Sequence, residues 1–293
     1  MNLFEGVGVA LVTPFHRDGE IDYPALEKVI NHVIDGHVDY LVTLGTTGES
    51  VALNDAEQQE VLAFTLKVTD GRRPVMAGIG GNDTRAVLKK IKTWSLSEAD
   101  GILSVSPYYN RPSQEGIYQH FAAIAEASSK PVILYNVPSR TSSNISSETT
   151  LRLARDFAGK IIGIKEASGN FSQAVQLVKG RPDGFLLLSG DDLIAMPLIS
   201  MGFDGVISVV ANAFPREFSE LIHYCQAGKF QDALPLQIAL ADRIELLFVE
   251  NNPAGVKAFM AEMGLLQNHL RLPLVPLSEK YMPALRNLLQ HKS

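Results

Sequence analysis

For most of its length the chain alternates short apolar runs rich in β-branched residues with longer stretches in which apolar residues recur every three or four positions. Short runs bounded by Gly, Pro, Asn or Asp read as strands buried on both faces, and the longer periodic stretches as amphipathic helices. Strands are predicted over Val7–Thr13, Tyr40–Leu44, Val75–Gly78, Gly101–Val105, Val132–Asn136, Ile161–Glu166, Phe185–Ser189 and Gly205–Ser208. The helices predicted after them lie near Pro24–Asp35, Asp55–Thr69, Thr84–Ser97, Gln114–Ala127, Ser147–Asp156, Ser172–Val178, Leu193–Met201 and Phe214–Ala227. Strict alternation of this kind signals a parallel sheet covered by helices, and eight such units fit an α/β fold, a (β/α)8 TIM barrel. An open doubly wound sheet is the alternative. It usually has fewer strands and a glycine-rich nucleotide loop after the first, where this chain has Val12-Thr13-Pro14-Phe15. The turn Gly78-Ile79-Gly80-Gly81 lacks phosphate-loop spacing and reads as a demand of backbone geometry. From residue 229 the strand pattern stops, which divides the chain into a barrel over 1–228 and a helical region over 229–293. Helices are predicted there near Phe230–Val249, Pro253–Met263 and Ser278–Leu289, and their expected role is to cover barrel surface or to join subunits.

Composition narrows the classes of function. The chain has 293 residues, 46% hydrophobic and 20% charged, enough for one barrel-sized domain or two smaller ones. A net charge of -6 without a long basic cluster argues against nucleic acid, and no apolar run reaches the length of a membrane span. Met1 to Gly6 lack the features of a secretory signal, so a cytoplasmic location is expected. Cys225 is the single cysteine and excludes an internal disulfide. The seven histidines, at 16, 32, 37, 120, 223, 269 and 291, are scattered, so no metal site is expected.

In a barrel the active site lies at the carboxyl ends of the strands, and the residues that follow the apolar runs here are unusual. The sixth run reads Ile-Ile-Gly-Ile-Lys-Glu-Ala-Ser-Gly and places Lys165 near its end. A lysine in such surroundings is either a desolvated amine, fit to attack a carbonyl, or a side chain that has reached solvent. By a period of two, Ile161, Gly163 and Lys165 share a face, and Gly163 is expected to leave room beside the amine. After the second run, Gly45-Thr46-Thr47-Gly48-Glu49-Ser50 either holds a carboxylate through hydroxyls and backbone amides or forms a turn. Asn54 and Glu57 fit a capping box for the next helix. After the fourth run, the stiff Ser106-Pro107-Tyr108-Tyr109-Asn110-Arg111-Pro112 presents two phenols of the kind that pack at interfaces. The fifth ends with Tyr135 at its tip and Arg140 just beyond, either a bidentate grip on a carboxylate or a solvated charge. In Ser189-Gly190-Asp191-Asp192, Gly190 permits close backbone approach, and both aspartates are expected to cap the next helix.

Taken together, Gly-Thr-Thr-Gly-Glu at 45–49, Tyr-Tyr-Asn-Arg-Pro-Ser at 108–113, Tyr-Asn-Val-Pro-Ser-Arg-Thr at 135–141, Gly-Ile-Lys-Glu-Ala-Ser-Gly at 163–169 and Ser-Gly-Asp-Asp at 189–192 resemble the 4-hydroxy-tetrahydrodipicolinate synthase (dihydrodipicolinate synthase) family. That family belongs to the pyruvate-dependent Schiff-base lyases, with N-acetylneuraminate lyase. The resemblance runs over essentially the whole chain and implies a catalytic set of Lys165, Tyr135, Thr46 and Tyr109. It implies that Thr47, Arg140, Gly190 and Ile207 bind substrate. The implied reaction joins pyruvate, as a Schiff base and enamine on Lys165, to L-aspartate 4-semialdehyde in lysine and diaminopimelate biosynthesis, with no cofactor and no metal. It further implies a homotetramer made of two close dimers, in which Tyr109 reaches the neighbour's site. A regulatory cleft for L-lysine would lie near Ser50, Asn82 and Tyr108, but Asp55, Gln58 and Ala86 stand where the regulated relatives have two histidines and a glutamate. Two other functions remain open: cleavage of a sialic or keto-deoxy sugar acid by the same lysine, and ligand sensing without turnover.

Overall fold

The computed structural model describes residues 3–290, so Met1, Asn2, His291 and the two residues after it lie outside the described residues. Eight strands close into a parallel barrel in sequence order. They are β1 (Gly6–Ala10), β2 (Tyr40–Thr43), β3 (Val75–Gly78), β4 (Gly101–Val105), β5 (Val132–Asn136), β6 (Ile161–Glu166), β7 (Leu186–Ser189) and β8 (Gly205–Ser208). Around them run α1 (Tyr23–Asp35), α2 (Asp55–Thr69), α3 (Thr84–Thr93), α4 (Gln114–Ala127), α5 (Pro138–Thr141), α6 (Ser147–Asp156), α7 (Phe171–Gly180), α8 (Ala195–Ser200) and α9 (Pro215–Gln226). The closing pair, β1 with β8, brings Gly6 against Gly205, where a Cβ on Gly205 would stand 2.1 Å from the Gly6 carbonyl oxygen.

Element order agrees with the hydrophobic pattern, and the departures are local. β1 stops at Ala10: the Leu11 N–H still donates to the Val42 carbonyl at 2.9 Å, but the Val12 N–H goes to the side chain of Asn212. α3 ends at Thr93, four residues early, and the indole of Trp94 turns inward to a buried position. The short helix α5 and the 3-10 turns Ser50–Ala52 and Val210–Asn212 fall below the length at which periodicity is legible. The β6 register differs in a way that matters. Val132 pairs with Ile161 but Ile133 with Gly163, so Ile162 is an extra residue. A bulge breaks the period of two. Ile161 therefore packs in the outer layer with Ile164, while Gly163 and Lys165 face the barrel interior beside Ile133 and Tyr135.

Two apolar layers hold the fold. One fills the barrel with Phe4, Tyr40, Met76, Ile133, Leu186 and Leu188, and the other lies between strands and helices. The outer layer continues without a break into the region after 229, reaching Leu240, Phe259 and Leu285. That region forms α10 (Phe230–Phe248), α11 (Ala254–Glu262) and α12 (Met282–Gln290). Every residue of α11 from Ala254 to Met260 is buried, Lys257 included. Among the described residues no helix is long and apolar enough to cross a membrane, and no three His, Cys, Asp or Glu side chains cluster as for a metal ion.

Candidate active site

Lys165 closes β6 at the carboxyl end of the barrel, in register with Tyr135 of β5 and Leu188 of β7. It is 5% exposed, and its Nζ lies 4.4 Å from the centre of the Tyr135 ring. Among the described residues no carboxylate pairs with it. The room beside the amine comes from a glycine other than the expected one. A Cβ on Gly163 would strike Leu186 Cβ at 2.7 Å, so that glycine serves strand packing. A Cβ on Gly190 would stand 3.1 Å from Lys165 Cε and 2.5 Å from Ala167 Cβ, and Gly190 is what keeps the lysine's end free.

The strand ends are fixed from behind. Glu166 and Asn136, paired in register just beyond Lys165 and Tyr135, point outward together. The Glu166 carboxylate accepts from Ser168 N at 2.7 Å, Gln173 Nε2 at 2.8 Å and Asn136 Nδ2 at 3.0 Å, and Asn136 Oδ1 accepts from Ile145 N at 2.9 Å. A buried carboxylate with its lone pairs filled is a rigid strut between β5 and β6.

The loop after β2 is more strained. Leu44 and Glu49 both take left-handed backbone conformations, at φ 60° and 51°, bracketing Gly45 to Gly48. Neighbours hold it there. Gly78 must lack a side chain because a Cβ would lie 2.3 Å from the Leu44 carbonyl oxygen, and the Thr13 hydroxyl donates to the Gly48 carbonyl at 2.7 Å. Beneath the loop the fully buried Glu49 carboxylate receives the Lys257 ammonium and, at 3.1 Å, the Arg271 N–H. Lys257 also donates to the His269 carbonyl at 3.0 Å. Burial pulls its pKa down from 10.5 to about 8, against the opposing pull of Glu49. Asn54 and Glu57 form the expected capping box, and Glu57 also grips the Arg271 guanidinium at 2.6 and 2.8 Å.

Lys165, Tyr135, Thr46, Thr47, Arg140 and Gly190 line one cavity of about 430 Å³. Ile207 is buried in the barrel interior and is not part of that wall, where Val209 stands instead. Tyr109 is also outside the wall, 87% exposed and at φ 74°. Neither Ser50, Asn82 nor Tyr108 touches the cavity. Asp191 does not cap α8, whose N-cap is Ile194 without a side-chain bond; it accepts from Leu193 N at 2.9 Å in the turn before that helix. Nor does Asp192: its Oδ2 accepts from Val209 N and Val210 N at 3.0 and 2.9 Å, fastening β7 to the turn after β8. Burial raises that carboxyl to about 6.

The far wall was not foreseen. Ile244, Glu245, Phe248, Asn251 and Asn252 come from the end of α10 and the turn that follows it. Asn252 Nδ2 donates to Thr47 Oγ1 at 2.8 Å, and Arg140 Nη2 approaches the Asn252 carbonyl at 3.5 Å. The signal in the sequence was only Glu-Asn-Asn-Pro, a turn motif without evident chemistry. The cavity thus sets a buried amine against hydroxyls and backbone amides on one side and a guanidinium at the rim, the donor set for a small substrate with one carbonyl and a carboxylate.

A closed parallel barrel with an amine and a phenol at adjoining strand ends defines a barrel enzyme of the lyase class. The chain belongs to the dihydrodipicolinate synthetase family, whose model matches residues 3–292. It is 50% identical over 279 residues to the 4-hydroxy-tetrahydrodipicolinate synthase of Flavobacterium psychrophilum, covering 95% of each chain. The crystal structure of dihydrodipicolinate synthase from Aquifex aeolicus superposes with a TM-score of 0.94 at 39% identity, covering 98% of this chain and 97% of that one. A Cyanidioschyzon merolae structure of the enzyme with lysine bound matches with a TM-score of 0.94 at 36% identity, covering 99% and 98%.

Proposed function

We propose that this chain is a 4-hydroxy-tetrahydrodipicolinate synthase that joins pyruvate to L-aspartate 4-semialdehyde. The observation that carries the reading is the buried, carboxylate-free Lys165 in one cavity with Tyr135, Thr46, Thr47 and Arg140. The Lys165 amine adds to the pyruvate ketone, and water leaves to give an imine. A methyl proton is then lost to form the enamine, with the iminium as electron sink, so no metal or organic cofactor is required. The enamine carbon attacks the semialdehyde's carbonyl. The semialdehyde's amine then displaces Lys165 from the imine carbon and closes the ring. Tyr135 is the acid and base nearest the amine, with Thr46 and a neighbour's Tyr109 as the rest of the relay, working through positioned hydrogen bonds. Thr47 holds the pyruvyl carboxylate by its hydroxyl and N–H, Gly190 admits the ketone beside Lys165, and Arg140 receives the second carboxylate.

Borohydride reduction with pyruvate tests the assignment. It is expected to add one pyruvyl group on Lys165, read by peptide mass mapping, and to abolish activity; label on another lysine would sink it. Arg140 at the rim favours the semialdehyde over a neutral sugar chain, and assays of pyruvate with the semialdehyde against pyruvate with an N-acylated hexose separate the two. A sensor without turnover has no need of a buried amine beside three hydroxyls.

The exposed Tyr109 and Val51, both at 87%, support a close dimer in which Tyr109 completes the neighbour's site, and two such dimers would make the tetramer. The enzyme would act in the cytoplasm, in lysine and diaminopimelate biosynthesis.

Regulation by L-lysine is expected to be weak or absent. At the cleft marked by Ser50, Asn82 and Tyr108 the chain brings a cation of its own: Lys90 Nζ donates to Gln58 Oε1 at 2.6 Å. Gln58 Nε2 is held by the Ser50 and Leu53 carbonyls, and Asp55 already accepts from Trp94 Nε1 and Gln59 Nε2. Ala86 supplies no anion for lysine's amino group, and an ammonium without a partner there loses roughly a hundredfold in affinity. Initial rates with L-lysine raised into the millimolar range decide this; saturating inhibition, non-competitive with pyruvate, would refute it.

A further inference from the structure

Asn252 takes no part in the chemistry above, yet the residue is only 4% exposed and its Nδ2 donates to Thr47 Oγ1 at 2.8 Å. Among the described residues that is the one bond to the Thr47 hydroxyl. The oxygen accepts from an amide, so the hydroxyl's own proton has no protein partner and is free for an acceptor in the cavity. A hydroxyl that already accepts one hydrogen bond is polarised into a better donor.

The turn that carries Asn252 is itself fixed. Asn251 holds φ 75°, the Arg140 guanidinium approaches the Asn252 carbonyl, and five residues further on Lys257 is paired with Glu49. Glu49 lies two residues after Thr47, so the loop after β2 and the appendix are joined at two adjacent points, one neutral and facing the cavity, the other charged and beneath it.

We infer that Asn252 is a positioning residue for pyruvate, fixing Thr47 as a hydrogen-bond donor to the substrate carboxylate, so that the C-terminal appendix sets pyruvate affinity. This rests on the reading of the site given above. Asn252→Ala retains the backbone carbonyl that Arg140 approaches, so its effect falls on pyruvate alone. Half-saturating pyruvate is expected to rise about tenfold, both in steady state and in borohydride trapping. Turnover at saturating pyruvate and KM for the semialdehyde are expected to stay within about twofold.

Asn252→Asp is the sharper variant, because it fills the same volume and so changes the contact without opening a cavity. Its carboxylate takes the Thr47 proton, reverses the bond and repels the substrate anion, so pyruvate half-saturation rises further than in Asn252→Ala. In a Thr47→Val background, Asn252→Ala adds nothing. An unchanged pyruvate requirement in either Asn252 variant, an Asp variant that binds pyruvate better than the Ala variant, or full additivity with Thr47→Val overturns the inference. A wild-type protein that takes no pyruvyl label on Lys165 overturns the site reading itself. A labelled wild type with Asn252 variants that trap pyruvate at the same concentration overturns only the role of Asn252.

Discussion

Lys165→Arg will retain the positive charge and the fold and lose turnover by roughly four to six decades, the scale seen when a covalent nucleophile is removed. A guanidinium stays protonated in proteins and cannot add to a ketone, so charge at the end of β6 is no substitute for a free amine. Binding of the second substrate is separable, because Arg140 reaches the cavity from α5 and not from β6. The measurement is the steady-state rate together with mass analysis after borohydride. Turnover within about two decades of wild type, or a pyruvyl adduct elsewhere, would show that the chemistry does not pass through Lys165.

Lys257→Met will be the most damaging change outside the cavity. The methionine fills the space inside α11 but leaves the fully buried Glu49 carboxylate with one backbone N–H, from Arg271. Breaking such a pair from one side costs about 3–5 kcal/mol. For a chain of this size that lowers Tm by on the order of 10 °C, read by calorimetry. The double variant Glu49→Gln with Lys257→Met should recover most of the loss, since the amide oxygen that replaces the carboxylate still accepts the Arg271 N–H and no charge is stranded. Recovery is expected because burial outweighs pairing at this lysine, which pulls its folded pKa to about 8, below the unfolded 10.5. The unfolded chain therefore binds more protons between those values, and the wild type gains stability relative to the double variant as pH rises through that window. A single variant as stable as wild type would mean that the pair does not anchor the appendix.

Most of the barrel was legible because its signal is local. Eight apolar runs alternating with amphipathic helices leave few other ways to bury both faces of a parallel sheet, and five short motifs carry the resemblance to the family. The motif residues Thr46, Thr47, Tyr135, Arg140, Lys165 and Gly190 meet in one cavity because each stands at the carboxyl end of a strand or in the loop after it, and strand ends converge in a closed barrel.

Other features depend on contacts between segments far apart in the chain. The bulge at Ile162 arises from pairing with β5, and it moved Ile161 off the face of Lys165. The room beside that lysine depends on β7 lying next to β6, which assigns it to Gly190 and not to Gly163 in the lysine's own strand. Asp192 holds the turn after β8, although its sequence position suits a helix cap. Asn252 stands in a turn motif without evident chemistry, and Lys257 in no motif. Their importance comes from a fold that lays α11 under the loop after β2, about 205 residues away in sequence, where an amide finds a hydroxyl and an ammonium finds a buried carboxylate. Hydrophobic periodicity records which face of an element is buried but not which distant polar group awaits it there, so strand ends could be read from the chain while the partners that orient them were decided only by its closure.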